Sequence, residues 1–360
     1  MTTTTTPEPA PTDDPIQRSL PSWFYIMIVL MILIVVFSIW HGGKFADRTN
    51  FQNIALDASQ LMLLAIGSTF VIITAGIDLS VSAMLVLSAI CSAKLMARLA
   101  GTPEEVRRGE YPNQDLAIAT GLCAAVLVGL FLGLVNGTLI TKLKLPPFIV
   151  TLGTLGIMLG IANILSEGSS VRFVPYEIVT LVGSRKIYLP TAITDAINVG
   201  KIGGVPLLVC VAAIVVLAAA TTLRFTRFGR YTFAIGSNPA AARRAGINVD
   251  LHLIKVYALS GLLAGVAGAM DVARFGTANS GSHSTDNLNA ISAVVIGGTS
   301  LFGGMGSIIG TMIGAFIPAI LRNGLIIGGI TSFYQQVLVG SILITAVYVD
   351  QRRRKAEERM

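Results

Sequence analysis

The chain has 360 residues, of which 53% are hydrophobic and only 12% charged, and its formal net charge is +7 at pH 7. Its mean hydropathy is +0.74, so the chain has more apolar residues than the polar surface of a soluble domain can cover. This excludes a soluble globular protein. The composition therefore predicts an all-α polytopic membrane protein without a soluble domain.

The N-terminal 21 residues are rich in Thr, Pro and Asp, and they lack the charged start and the small-residue cleavage site of a signal peptide. We interpret residues 1–21 as a disordered cytoplasmic tail and the hydrophobic run that follows as an uncleaved anchor. The transmembrane domain is predicted over residues 22–350, and residues 351–360 are predicted to form a basic cytoplasmic tail.

Hydrophobic runs of the length needed to cross a bilayer, on the order of 20 residues, follow one another along this domain. The run over 54–99 is long enough for two spans and divides at Asp78, and the short run over 288–298 is interpreted as a half-span or re-entrant segment. These runs predict about ten crossings, some short or broken. The remaining runs lie near 23–40, 117–141, 147–166, 205–223, 251–274, 302–322 and 332–349.

Glycine recurs at four-residue spacing in several runs, which predicts close helix–helix contacts in lipid. The three sets are Gly129, Gly133 and Gly137; Gly156 and Gly160; and Gly306, Gly310 and Gly314.

Three cysteines lie within apolar runs without metal-ligand spacing, so we expect packing residues and neither a disulfide nor a metal site. They are Cys91, Cys123 and Cys210.

The distribution of basic residues among the loops predicts the orientation of the chain. The loop over 224–248 carries five arginines and the tail over 351–360 carries five basic residues, so both are placed in the cytoplasm together with the N-terminus. The loops over 100–116 and 167–204 balance basic with acidic residues and are placed outside. Because the basic residues flank spans, we expect contact with membrane lipid and no nucleic-acid partner.

The polar segment over 229–248 predicts a short helix outside the bilayer. Asn238 is a suitable N-cap, Pro239 suits the first helical position, and Gly246 ends the helix. A loop that merely connects two spans does not need a capped helix. We therefore interpret the insert over 224–250 as a docking element for a motor domain, with a plain connecting loop as the alternative.

Polar side chains are sparse within the predicted spans and are the candidates for a translocation pathway. These candidates are Asp78, Asn136, Asn163, Asn289 and Asn323. Structural roles are the alternative, because Asp78 could cap the next helix and Asn136 could form an interhelical hydrogen bond. Asp271 lies close to Arg274 at the end of a span, which predicts a local ion pair. Neutral amides and hydroxyls outnumber carboxylates here, which favours a neutral polyhydroxylated solute over a proton or sodium relay.

The sequence does not predict an enzyme. Its three histidines lie near span ends, and the chain contains neither a GxSxG nor an HExxH pattern. The glycines around Gly303 lack the Lys-Ser/Thr of a phosphate loop, so nucleotide hydrolysis by this chain is not expected.

Four sequence blocks occur together in this chain, and they make the chain resemble a known family. They are AGIDLSVSA over 75–83, GLVNG over 133–137 with PPFIVTLG over 146–153, the insert over 229–248, and AVVIGGTSLFGG over 293–304. The chain from about residue 50 to 350 resembles the permease subunits of ATP-binding-cassette importers for ribose, xylose, arabinose, galactose, inositol and related sugars or polyols.

This resemblance implies import of a monosaccharide or polyol across the bacterial inner membrane, driven by ATP hydrolysis in a separate subunit. The implied partners are an ATPase subunit, often with two fused domains, an extracytoplasmic sugar-binding protein and a second permease copy. ATP then binds the partner, and this chain binds no cofactor. The residues implied to couple with the ATPase are Asn238, Pro239, Ala241, Ala242, Arg243, Arg244 and Gly246.

Two segments of the chain depart from the family pattern. Ala75 and Ser82 stand where glycine is common, and Asn287 and Asn289 stand where an acid often flanks the leucine between them.

A permease for branched-chain amino acids or nucleosides shares the architecture and is an alternative. An ion-coupled secondary carrier is another, although it usually has more membrane carboxylates. A structural scaffold would not need the insert. The sequence does not identify the solute, and it does not distinguish a homodimer from a heterodimer.

Overall fold

A computed structural model describes residues 22–188 and 204–331 and nine further positions between 334 and 348. The predicted tails over 1–21 and 351–360 lie outside the described residues, as does much of the run over 332–349. The described chain is predominantly helical, which confirms the all-α class. The two strands that it contains, β1 (Lys186–Ile187) and β2 (Val205–Pro206), pair in antiparallel fashion.

The helices are numbered in chain order. They are α1 (Ser22–His41), α2 (Gly43–Ala46), α3 (Arg48–Ile73), α4 (Val81–Leu99), α5 (Pro103–Arg108), α6 (Gln114–Lys142), α7 (Pro147–Ser166), α8 (Leu207–Phe225), α9 (Arg227–Ser237), α10 (Pro239–Arg244), α11 (Val249–Phe275), α12 (Asp286–Ile296) and α13 (Ile308–Ile327), with a π-helical turn at Val179–Gly183.

Eight helices within the described residues are long and apolar enough to cross a membrane: α1, α3, α4, α6, α7, α8, α11 and α13. The expected division at Asp78 is confirmed, because α3 ends at Ile73 and α4 begins at Val81. The short α12 covers most of the run that we interpreted as a half-span or re-entrant segment. Its partner α13 begins at Ile308, later than the predicted residue 302, because turns and a glycine-rich loop separate the two helices.

Helix α3 lies at the centre of the bundle. From Ala58 to Ile73 every one of its residues is buried, including the small polar Ser68 and Thr69. A helix that is enclosed on all sides needs no polar face, which explains why the run around it is apolar without amphipathic periodicity. Its neighbours include α4, α8, α11, α12 and α13.

Two of the predicted glycine contacts are present. A Cβ added to Gly129 or Gly133 of α6 would overlap the backbone of α11, and one added to Gly310 or Gly314 of α13 would overlap the backbone of α12 or of the loop after it. Small residues thus let these helix pairs approach at backbone distance, as expected in lipid.

The third predicted contact and one cysteine differ from expectation. A Cβ at Gly156 or Gly160 would meet nothing within 4 Å among the described residues, so this face of α7 has no helix packed against it there. Cys123 is exposed on the surface of α6 rather than packed inside, whereas Cys91 and Cys210 are half-buried.

Helix α11 connects two distinct ends of the bundle. The end near Val249, where α9 and α10 lie, is called the insert end. The other, near Phe275, is called the loop end, and there the segments around Val171 and Ala278 meet in an antiparallel bridge. The loop over 167–204, which was placed outside, therefore meets the loop after α11 at the end of the bundle opposite the insert.

Substitution of Gly133 by alanine tests the contact between α6 and α11. The new methyl group would overlap the carbonyl oxygen of Tyr257, so Gly133→Ala should destabilise the protein by about 1–3 kcal/mol, the usual range for overpacking. Gly43→Ala is the matched control, since its Cβ would meet nothing within 4 Å. Thermal unfolding in detergent measures both, and equal melting temperatures for the two variants would contradict the contact.

Candidate functional site

The insert consists of two capped helices, α9 and α10. Asn238 Oδ1 accepts a hydrogen bond from the backbone N–H of Ala241 at 2.9 Å, and Pro239 occupies the first position of α10. After α10 ends, Gly246 adopts a left-handed φ of 84°. The capping predicted from the sequence is therefore confirmed, because a short polar N-cap, a proline and a terminal glycine act locally.

The seven residues expected to couple with an ATPase do not all face outward. Ala242 is buried against Ile235 and Val249 and holds α10 against the start of α11. Arg243 is exposed, but its guanidinium pairs with Asp250 at 2.9 Å. The other five are exposed: Asn238, Pro239, Ala241, Arg244 and Gly246.

The insert also packs against the end of α3. A Cβ on Gly236 would overlap the carbonyl oxygen of Ile73, and the backbone N–H of Gly304 donates to that same oxygen at 2.9 Å. A Cβ on Gly303 would approach Ala75 within 2.8 Å. We call this contact of Gly236, Gly303 and Gly304 with Ile73 and Ala75 the glycine junction. Along the chain the insert is joined to α8 and α11, and the junction adds contacts with α3 and the loop before α13.

The break between α3 and α4 contains a buried hydrogen-bond network. Asp78 is 1% exposed, and its Oδ1 accepts from the N–H and the hydroxyl of Ser80 at 3.0 and 2.6 Å. Its Oδ2 accepts from the hydroxyl of Ser260 on α11 at 3.2 Å. Asn136 on α6 donates to the Ser80 hydroxyl at 2.8 Å. The interhelical hydrogen bond expected for Asn136 is thus confirmed. Asp78 forms an Asx turn before α4 and does not cap that helix, whose N-cap is Ser80.

Two buried polar atoms close to this break have no hydrogen-bond partner in the described part of the chain. They are Oδ1 of Asn136 and the hydroxyl of Tyr257, which lies beside Gly76. Unsatisfied polar groups at such depth are costly, so the break combines irregular backbone with spare hydrogen-bonding capacity. These two groups could form hydrogen bonds to a polar solute.

The remaining pathway candidates lie elsewhere. Asn163 is exposed on the outer surface of α7. Asn323 exchanges two hydrogen bonds with Asn50, at 2.9 and 2.8 Å, and so joins α13 to the start of α3. Asn289 is buried near the loop end and donates to Asp286 at 3.0 Å. The structure therefore brings Asp78 and Asn136 together and keeps the other three apart.

The sequence did not predict the charged cluster at the loop end, and the expected pair of Asp271 with Arg274 is wrong. Arg274 instead reaches across to Asp57 on α3 at 2.6 Å. Asp271 accepts from His283 Nε2 at 2.9 Å, and His283 Nδ1 contacts Asp286 at 2.6 Å. The loop after α11 folds back over its own helix, which spacing along one helix does not reveal.

The two carboxylates that flank His283 determine its charge. Burial alone would lower the pKa of His283, but hydrogen bonds to Asp271 and Asp286 and the charges of both outweigh it and raise the pKa from 6.5 to about 10. His283 is therefore an imidazolium at neutral pH and ties α11 to the start of α12. The signal available in the sequence was His283 and Asp286 three residues apart in a loop.

Comparison with known proteins agrees with this architecture. A family profile described as "Branched-chain amino acid transport system / permease component" matches residues 50–347. The chain belongs to this family. No solved structure matches the chain.

Several curated relatives are sugar permeases. The ribose import permease protein RbsC of Escherichia coli is 37% identical over 91% of this chain and 93% of its own length. The fructose import permease protein FrcC of Rhizobium meliloti is 35% identical over 91% of this chain and 85% of its own. The D-allose transport system permease protein AlsC of Escherichia coli is 35% identical over 90% of each chain. The resemblance to permease subunits of sugar importers is confirmed.

Substitution of His283 by glutamine tests the charged bridge. Because the folded-state pKa is raised from 6.5 to about 10, the stabilisation is complete below pH 6.5 and is lost as the pH rises to 10. Wild type should therefore exceed His283→Gln in melting temperature at pH 6.5, and the difference should shrink progressively towards pH 10.

Asn279→Ala is the control for this experiment. Asn279 donates to Ser170 at 2.9 Å at the same loop end but has no titratable side chain. Its effect on the melting temperature should therefore be similar at pH 6.5 and pH 10. A His283→Gln difference that stays constant over the same pH range would contradict a charged His283.

Proposed function

We propose that the chain is the permease subunit of an ATP-binding-cassette importer that moves a monosaccharide or related polyol into the cytoplasm. The observation that carries this proposal is the similarity of this chain to sugar import permeases, which are 35–37% identical to it over nine-tenths of its length. The family is one of permease components, which are not themselves enzymes. Transport by this chain then needs energy from a partner.

The partner that supplies the energy is an ATPase subunit docked on the insert. Asn238, Pro239, Ala241 and Arg244 present an exposed capped helix at the insert end, while Arg243 is held by Asp250 within the chain. ATP binds to that subunit, and the permease binds no cofactor of its own. A short rigid helix suits this task, because it passes a rigid-body displacement to whatever it touches.

The insert end faces the cytoplasm of a bacterial inner-membrane protein. The positive-inside rule supports this orientation, since the loop over 224–248 carries five arginines near span ends. The loop end then faces outward and receives an extracytoplasmic binding protein. Both termini are cytoplasmic in this arrangement.

A second copy of a permease chain packs against α7. Three glycines with open space and one polar side chain form a single stripe on its exposed surface: Gly153, Gly156, Gly160 and Asn163. An exposed asparagine on a membrane helix is unfavourable in lipid and suits either a protein interface or a solute pathway. The solute then passes between two copies along this stripe, with Asn163 as its first polar contact.

The substrate alternatives have less support. The family description names branched-chain amino acids, but the relatives at 35–37% identity are permeases for ribose, fructose and allose. An ion-coupled secondary carrier would use exposed carboxylates at membrane depth. Asp78 is instead engaged by Ser80 and Ser260.

Affinity purification in mild detergent tests the assembly. The tagged chain is isolated from its native membrane, and the proteins that accompany it are identified by mass spectrometry. Recovery of an ATPase subunit is the expected result. Recovery of the chain alone, still able to move sugar into vesicles without ATP, would replace the importer with a secondary carrier.

Substitution of Arg244 by glutamate tests the docking surface. Arg244 is exposed and its substitution leaves the Arg243–Asp250 pair intact, so Arg244→Glu should reduce both ATPase recovery and sugar uptake, by about tenfold or more for a loss of 1.4 kcal/mol. Lys142→Glu is the control, with the same charge change at an exposed site on the same end of the bundle. Equal uptake by both variants would argue against docking through α10.

A further inference from the structure

The loop end contains a cavity of about 600 Å³ between α3, α11, α12 and α13. This volume lies within the range of small-molecule sites, roughly 300–1,000 Å³. Its mouth is bounded by exposed residues such as Asn279, Ser284 and Arg322. Its floor contains buried polar side chains, among them Asp271, Asn289 and Ser292. The cavity lies within one chain and not at the α7 surface.

The charges that line this cavity balance one another. Three carboxylates face three cationic groups: Asp57, Asp271 and Asp286, with Arg274, His283 and Arg322. Two pairings engage most of them, Arg274 with Asp57 and His283 with the other two carboxylates. A lining without net charge gives no electrostatic preference for an ionic ligand.

Two lining groups retain hydrogen-bonding capacity. Ser292 is 0% exposed, lines the cavity, and its hydroxyl has no hydrogen-bond partner among the residues that the structure describes. A buried hydroxyl in that state costs free energy unless a ligand engages it. Arg322 lines the same cavity and interacts electrostatically with Asp286, but no salt bridge joins its guanidinium to a described carboxylate. A guanidinium can donate to two oxygens at once.

We propose that this cavity is a solute site of its own within each permease chain, and that it binds a neutral polyhydroxylated molecule of monosaccharide size. Neighbouring hydroxyl groups of a sugar donate to carboxylates and accept from guanidinium, amide and serine groups, and all four types line the cavity. Leu61, Phe275 and Pro318 add apolar surface for the carbon faces of a ring.

The site rests on the proposed function for its choice of ligand and extends it in one respect. A pathway between two copies needs no site inside either copy. The cavity opens at the loop end, where the binding protein is proposed to dock, so it would hold a released sugar before that sugar enters the pathway. Asn289, a candidate for the pathway from the sequence, lies in this cavity and not beside Asn163.

Protection of a cysteine at the mouth tests the site. Ser284→Cys is introduced after Cys91, Cys123 and Cys210 have been replaced by alanine, and the purified full chain is labelled with a small maleimide in detergent. Ribose, fructose, allose and galactose are added separately. At twice its Kd a sugar should slow labelling about threefold, because the unoccupied fraction falls as 1/(1 + [L]/Kd).

Two variants and a matched control are compared in the same background. Ser292→Ala and Arg322→Gln should each shift the protection curve to about tenfold higher sugar concentration, as expected for a lost hydrogen bond to a polar ligand. Ser88→Ala is the control, because Ser88 is also buried and its hydroxyl has no partner in the described part of the chain, but it lies on α4 and does not line the cavity. Its protection curve should match that of the unsubstituted background.

Three results would overturn the site. The first is the absence of protection by every sugar up to about 1 M, a concentration well above millimolar Kd values. The second is protection by glycine betaine equal to that by a sugar. The third is a protection curve that neither Ser292→Ala nor Arg322→Gln changes. None of these results depends on an ATPase. Failure of the site and failure of the importer assignment are therefore separable, since the latter is measured by the proteins recovered from the membrane and by ATP-dependent uptake.

Discussion

The glycine junction is the constraint on which the rest of this architecture depends. Gly236 on the insert lies against the carbonyl oxygen of Ile73, and the backbone N–H of Gly304 donates to that oxygen at 2.9 Å. Backbone in contact with backbone has no flexible side chain to absorb a displacement, so a movement of the insert reaches the end of α3 and the loop before α13 directly. The break that contains Asp78 begins immediately after Ile73, which places the buried polar network next to the part that an ATPase would move.

Helix α11 connects the two polar centres of the bundle. Ser260 contacts Asp78 near the middle of α11, and Asp271 contacts His283 eleven residues later, a rise of about 16 Å along the helix. Each centre pairs most of its charged and polar groups, as a hydrophobic environment requires. Three groups at these centres have no hydrogen-bond partner among the described residues and could engage a hydroxylated solute: Asn136 Oδ1 and the Tyr257 hydroxyl near Asp78, and the Ser292 hydroxyl in the cavity that Asp271 lines.

Local signals in the sequence predicted much of the fold. Span length, the division at Asp78, the cap of Asn238 and the glycine seam at Gly129 and Gly133 depend on neighbouring residues or on one helix face, and the structure confirms them. Contacts set by the approach of distant segments were not predictable in this way. His283 reaches Asp271 because a loop folds back, and Ala242 faces inward because α10 rests on α11. The roles of the predicted pathway residues stay predictions, since position alone does not establish contact with a solute.

Substitution of Gly236 by alanine measures most directly whether the insert drives the membrane domain through the junction. Wild type, Gly236→Ala and the control Gly43→Ala are compared as complexes with the ATPase, for ATPase recovery and for ATP-dependent sugar uptake into vesicles. The account predicts that Gly236→Ala retains the ATPase but loses uptake by about tenfold or more, the effect of 1.4 kcal/mol on a barrier. Uptake by Gly236→Ala equal to that of Gly43→Ala would contradict it.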